Sequence, residues 1–119
     1  KVFKETCSKY KVPLLKGDNL LNHQKENYLI ICIDVEGYEL NVLKGLLKTL
    51  EKTHFVCVEM SYNLNRVGLE NNANSVHDLL TKNNFEVVIC DSTGGKNFPL
   101  KQDYTQIFNV LYMNTKLNS

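Results

Sequence analysis

Residues 31–45 read ICIDVEGYELNVLKG, and the change of character inside this stretch decides the fold. Its opening, Ile31-Cys32-Ile33, is a short continuous apolar run of the kind that forms a buried strand. The run passes directly into Asp34, Glu36 and Gly37, and Gly37 permits a tight turn. Beyond the turn, Leu40, Leu43, Leu46, Leu47 and Leu50 fall at helical spacing. The stretch is therefore strand, turn and helix. A strand that ends in carboxylates is unusual, because acids must stay hydrated or find partners. Asp34, Glu36 and Glu39 either complement the positive N-terminus of the helix, each for about 0.3–1 kcal/mol, or serve a site at the strand's end.

Working outward, four runs rich in Ile, Val and Phe predict strands at residues 28–34, 55–60, 85–90 and 107–113. They are continuous rather than alternating, as in strands covered on both faces. The leucine spacing predicts one helix over residues 38–51. Gly45 in its middle costs about 1 kcal/mol against Ala, so close packing on the sheet is expected there. A second helix is predicted over residues 75–83, with Ser75 as N-cap, Val76, Leu79 and Leu80 as the buried stripe, and Asn83-Asn84 as its end. Strand–helix–strand–helix–strand predicts parallel pairing through right-handed crossovers, with strands 28–34 and 55–60 adjacent. Between the third and fourth strands, Ser92-Thr93-Gly94-Gly95 and Pro99 read as loop, so the last strand should return antiparallel. The opening is weakly patterned, with Pro13 in an extended segment and a helical turn near residues 18–22. The expected fold is α/β: a mainly parallel, Rossmann-like sheet with helices on both faces and an antiparallel last strand. At 119 residues it is read as a single domain, residues 1–119.

Composition narrows the function. With 43% hydrophobic and 23% charged residues and a net charge of +1, the chain is neither a strongly basic nucleic-acid binder nor an acidic disordered tail. Its longest apolar run, residues 28–33, is too short to span a bilayer, and no secretory segment opens the chain. It begins at Lys1 without methionine and is read as an excised piece of something longer. Cys7, Cys32, Cys57 and Cys90 show no C-x-x-C pairing. Three of them lie in apolar runs, where Cys acts as a small buried hydrophobe. A reducing, cytoplasmic location is expected over a disulfide framework.

In an open parallel sheet, ligands bind outside the carboxyl ends of the strands. Asp34 ends the first strand and Glu59 the second. The period of two places Ile30, Cys32 and Asp34 on one face, with Phe55, Cys57 and Glu59 on the matching one. With strands about 4.8 Å apart, the two carboxyl carbons should lie within about 8 Å. Asn63 follows with a neutral amide, and Tyr62 either lines a pocket or covers an edge. Two acids and an amide there could hold a hard divalent cation, orient a substrate hydroxyl or take its proton. His23, His54 and His77 share no spacing and read as ordinary histidines.

The segment Ile33-Asp34-Val35-Glu36-Gly37-Tyr38-Glu39, with Val42-Leu43 and Gly45, closely resembles the K-I-D-V-E-G-x-E-x-x-V-L-x-G signature of FkbM-type methyltransferases. Asp18-Asn19-Leu20-Leu21 is similar to the acidic-leucine step upstream of that strand, and Val56-Cys57-Val58-Glu59 to the family's next strand. The resemblance spans roughly residues 12–113. It implies a class I fold, S-adenosylmethionine as cofactor and a hydroxyl acceptor, on a small molecule or a glycan. Two departures matter: Cys32 replaces the signature's lysine, and the glycine-rich cofactor loop of the D-x-G-A-N-x-G type is missing, its place being before residue 1. What remains resembles the second half of the fold, strands four to seven. The resemblance thus implies a fragment or truncated copy of an O-methyltransferase that binds S-adenosylmethionine weakly by itself. It implies catalytic roles for Asp34, nearest the acceptor hydroxyl, for Glu36 as an orienting group and for Glu59 as the facing carboxylate. Tyr62 and Asn63 would contact the acceptor, and Asp34 with Glu59 would hold any metal. The alternative is a non-catalytic α/β interaction module derived from that fold. In either case strand 28–34 is a potential open edge, to be covered by the opening segment or otherwise by a second copy in a homo-oligomer.

Overall fold

Each of the four apolar runs is a strand in the computed structural model, which describes residues 9–63, 71–99 and 107–118. Cys7 lies outside the described residues. The strands are β1 (Tyr28–Ile33), β2 (Thr53–Met60), β3 (Phe85–Cys90) and β4 (Phe108–Asn114). They form one sheet in the order β1-β2-β4-β3. β1 and β2 are parallel neighbours with Ile30 opposite Phe55 and Cys32 opposite Cys57. β4 runs antiparallel to both β2 and β3. The antiparallel last strand is as expected, whereas "mainly parallel" holds for strand direction but not for pairing. β4 inserts between β2 and β3, so only the β1–β2 ladder is parallel. The described part of the connection after β3, residues 91–99, holds turns and no helix, which fits a chain that turns back rather than crossing over.

The helices are α1 (Gly17–Leu21), α2 (Glu39–Lys44), α3 (Leu47–Leu50) and α4 (Ala73–Lys82). The single helix expected over residues 38–51 is broken at Gly45-Leu46. A Cβ on Gly45 would sit 3.5 Å from Gly17 N and 3.6 Å from Lys16 Cα, and the Gly45 carbonyl accepts from Asp18 N at 2.8 Å. Gly45 therefore packs against the chain entering α1, not on the sheet. Asp18 then caps the second piece from a distance. Its carboxylate accepts from Lys48 N at 3.0 Å, Thr49 N at 2.8 Å and Thr49 Oγ1 at 2.7 Å. Burial pushes the Asp18 carboxyl up, but the Thr49 and Lys48 donors outweigh it and hold the group below its ordinary value. In α4 the N-cap is Asn72 rather than Ser75: Asn72 Oδ1 accepts from Ser75 N at 3.2 Å. Asn83 and Asn84 end it as expected, Asn84 at φ 69.

Val56, Val58 and Met60 of β2 and Phe108, Val110 and Tyr112 of β4 are buried in one core with Leu43, Leu50, Val76 and Leu80 of the helices. The alternate set on β2, Phe55, Cys57 and Glu59, is only half-buried, while Ile30 and Ile89 are 46% and 48% exposed. Among the described residues the helices thus cover one face, and the expectation of helices on both faces is corrected. The β1–β2 and β2–β3 crossovers advance in the same direction across the sheet. Right-handedness then places α2, α3 and α4 on the same side. No described helix is long and apolar enough to cross a membrane.

Candidate functional site

Ile33, the last residue of β1, pairs with Val58 of β2. The next residues along the two chains, Asp34 just past β1 and Glu59 near the end of β2, therefore meet at the same edge of the sheet. The turn after β1 brings in a third acid. Glu36 adopts φ 55 and Gly37 φ 100, the left-handed region that Gly tolerates and most residues avoid. Asp34, Glu36 and Glu59 each offer a carboxylate oxygen, and these oxygens all lie within 4.8 Å of one another. Asp34 and Glu36 are exposed and Glu59 is half-buried.

Glu39 builds this turn. It is 3% exposed, and its Oε2 accepts from Val35 N at 3.1 Å and Gly37 N at 3.2 Å. These donors stabilise a backbone that Glu36 would not adopt unaided. The amides at the start of α2 have another partner: Asn71 Oδ1 accepts from Leu40 N at 3.0 Å and Asn41 N at 3.4 Å. The complement to the α2 N-terminus, expected from Glu39, is thus supplied by Asn71, and the Glu39 carboxylate reaches back instead. Nothing in the sequence pairs Asn71 with a helix some thirty residues earlier. For Glu39 the short reach to residues 35 and 37 was the available signal.

Asn63 is exposed, and its backbone N–H donates to Ser61 Oγ at 3.0 Å. Tyr62 is 4% exposed. Its hydroxyl donates to Pro99 O at 2.7 Å, with Asn74 Oδ1 3.0 Å away. Its ring packs edge-on against Phe98 and beside Phe108. Burial, with Asp78 and Cys90 nearby, pushes its phenol up. Tyr62 therefore pins the segment after β2 into the core, while the three acids gather at the rim. Outside this site, His77 stacks on Phe98 at 4.1 Å between ring centroids and lies 2.8 Å from the Tyr112 hydroxyl. Burial, opposed by Asp78, pulls His77 below its ordinary value.

The arrangement can bind a hard cation or a hydroxylated ligand. Ligand oxygens on opposite sides of a calcium ion are about 5 Å apart, close to the 4.8 Å spread of the three carboxylates. Carboxylates this close also repel one another, which a bound cation relieves.

Comparison with known proteins adds one finding. The methyltransferase FkbM domain matches residues 4–103. No curated protein and no solved structure matches the chain. The matched span includes both strands that carry the acids and the turn that joins Asp34 to Glu39, so the chain belongs to the FkbM methyltransferase domain family.

Proposed function

We propose that this chain is the acceptor-side part of an S-adenosylmethionine-dependent O-methyltransferase whose acceptor is a hydroxyl of a small molecule or glycan. The observation that carries the reading is the gathering of Asp34, Glu36 and Glu59 within 4.8 Å at the carboxyl ends of adjacent parallel strands, where open α/β sheets bind ligands. In this reading Asp34 takes the proton of the acceptor hydroxyl, Glu36 orients it and Glu59 faces it across the β1–β2 edge. The exposed amide of Asn63 contacts the acceptor, with Tyr62 anchoring the segment beneath it. Three carboxylate oxygens suit a hard divalent cation. Held by Asp34 and Glu59, such a cation would make a bound hydroxyl more acidic. The cytoplasmic location expected from the cysteine pattern goes with this reading.

The methyl donor finds no comparable cradle among the described residues. Val35 N and Gly37 N already donate to Glu39. The glycine pair after β3 is closed into a turn, with Gly94 N donating to Cys90 O at 2.8 Å. What these residues supply is therefore acceptor binding, orientation and a proton acceptor, and the chain alone is expected to bind S-adenosylmethionine weakly. The test follows transfer of a labelled methyl group by the natural polypeptide that carries this domain, offered hydroxylated small molecules and oligosaccharides. Asp34→Asn and Glu59→Gln should each slow transfer about a hundredfold or more, and calorimetric titration with Mg²⁺, Mn²⁺ or Ca²⁺ should weaken with both. Unchanged transfer in both variants would remove the assignment. The second reading, a non-catalytic interaction module that associates with itself, is favoured by the half-exposed apolar sheet face around Ile30 and Ile89. It calls for self-association in sedimentation equilibrium with no transfer to any acceptor.

A further inference from the structure

The sheet face left uncovered by the described helices carries two thiols. Cys32 and Cys57 are register partners on parallel neighbours β1 and β2, so their side chains leave the same face. Cys32 is exposed and Cys57 half-buried. Neighbouring strands run about 4.8 Å apart, inside the roughly 4.4–6.8 Å between Cα atoms that a disulfide spans. Cys90 differs: it is fully buried, with its Sγ 3.2 Å from Ser92 Oγ. The role of a small buried hydrophobe fits Cys90 and not the pair.

We propose that Cys32 and Cys57 form a reversible disulfide across β1 and β2, a redox site one side-chain repeat before the Asp34 and Glu59 carboxylates. The oxidant is a small-molecule disulfide such as oxidised glutathione. The exposed Cys32 sulfur attacks one sulfur of that disulfide, whose S–S bond breaks and releases one glutathione thiolate. The Cys57 sulfur then attacks the Cys32 sulfur of the mixed disulfide and expels the second glutathione thiolate. The two cysteine protons end on the two glutathiones, which carry away the two electrons. The new bond ties β1 to β2 directly behind the acids. It depends on the register of the thiols alone and stands whether or not the chain transfers methyl groups.

The test equilibrates the full chain in glutathione buffers from reducing to oxidising, quenches in acid, alkylates the remaining thiols and maps the peptides without reduction. The expected product has lost two hydrogens, yields a linked Cys32–Cys57 peptide, carries only a trace of glutathione and reverts with dithiothreitol. Cys57→Ser should raise the glutathione adduct on Cys32 from trace to stoichiometric, and Cys57→Ala checks that the serine hydroxyl is not responsible. Cys7→Ser should leave the linked peptide in place. A stable glutathione adduct on Cys32 in the natural chain overturns the proposal. So does a link from Cys32 to Cys7 or to a second copy, or a fully reduced pair in oxidising buffer.

Discussion

Glu39→Ala and Glu39→Gln separate the turn-building role of Glu39 from mere presence in the core. The Glu39 carboxylate accepts from Val35 N and Gly37 N. Val35 is 40% exposed, so water can replace the first bond. Gly37 is buried, and its N–H would be left without a partner in Glu39→Ala, at about 1–3 kcal/mol. The turn would also lose the contacts that hold Glu36 at φ 55, a conformation that costs about 1 kcal/mol or more and is retained only when its surroundings enforce it. Glu39→Ala should therefore lower stability by about 2–4 kcal/mol. Glu39→Gln keeps a carbonyl acceptor and loses only the charge assistance, about 1 kcal/mol. Urea unfolding followed by circular dichroism measures both, and Mn²⁺ titration of each folded variant reports whether the three acids still converge. Equal, sub-kcal losses in the two variants, with Mn²⁺ binding unchanged, would refute the claim that Glu39 shapes the site.

Asp18→Ala should cost about 1–3 kcal/mol, because it uncaps α3 and strands the donors of buried Thr49. The folded-state value of Asp18 is lowered, so its contribution is present above the ordinary carboxylate range and lost as pH falls through the folded value. The variant should accordingly show a shallower acid limb in pH-dependent unfolding. His77 is also lowered, by burial, so the unfolded chain takes up its proton first. Stability should fall as pH drops from about 7 through the folded value, and His77→Gln should flatten that slope in thermal melts run across the range.

All four strands, their parallel or antiparallel sense beside the neighbours expected for them, and the pairing of Asp34 with Glu59 were legible in the chain. Those features rest on local periodicity and short connections: continuous apolar runs, a helical leucine stripe, and a loop too poor in helix formers to cross over. The FkbM signature lies in the same stretch for the same reason, since the turn, the acids and the helix start are contiguous in residues 33–45.

Tertiary structure decided the rest. The helix expected over residues 38–51 breaks because Gly45 and Leu46 meet Gly17 and Asp18, a contact between segments that no periodicity couples. Asn71 caps α2, and Tyr62 turns inward to Pro99, through bonds that span about thirty residues or more. The two thiols face each other only because the β1–β2 register aligns them. Local sequence dictates which segments become strands and helices, because backbone preference and the hydrophobic pattern act over a few residues. Which side chain fills, caps or faces another depends on how those segments pack, and packing is settled only when all of them are in place.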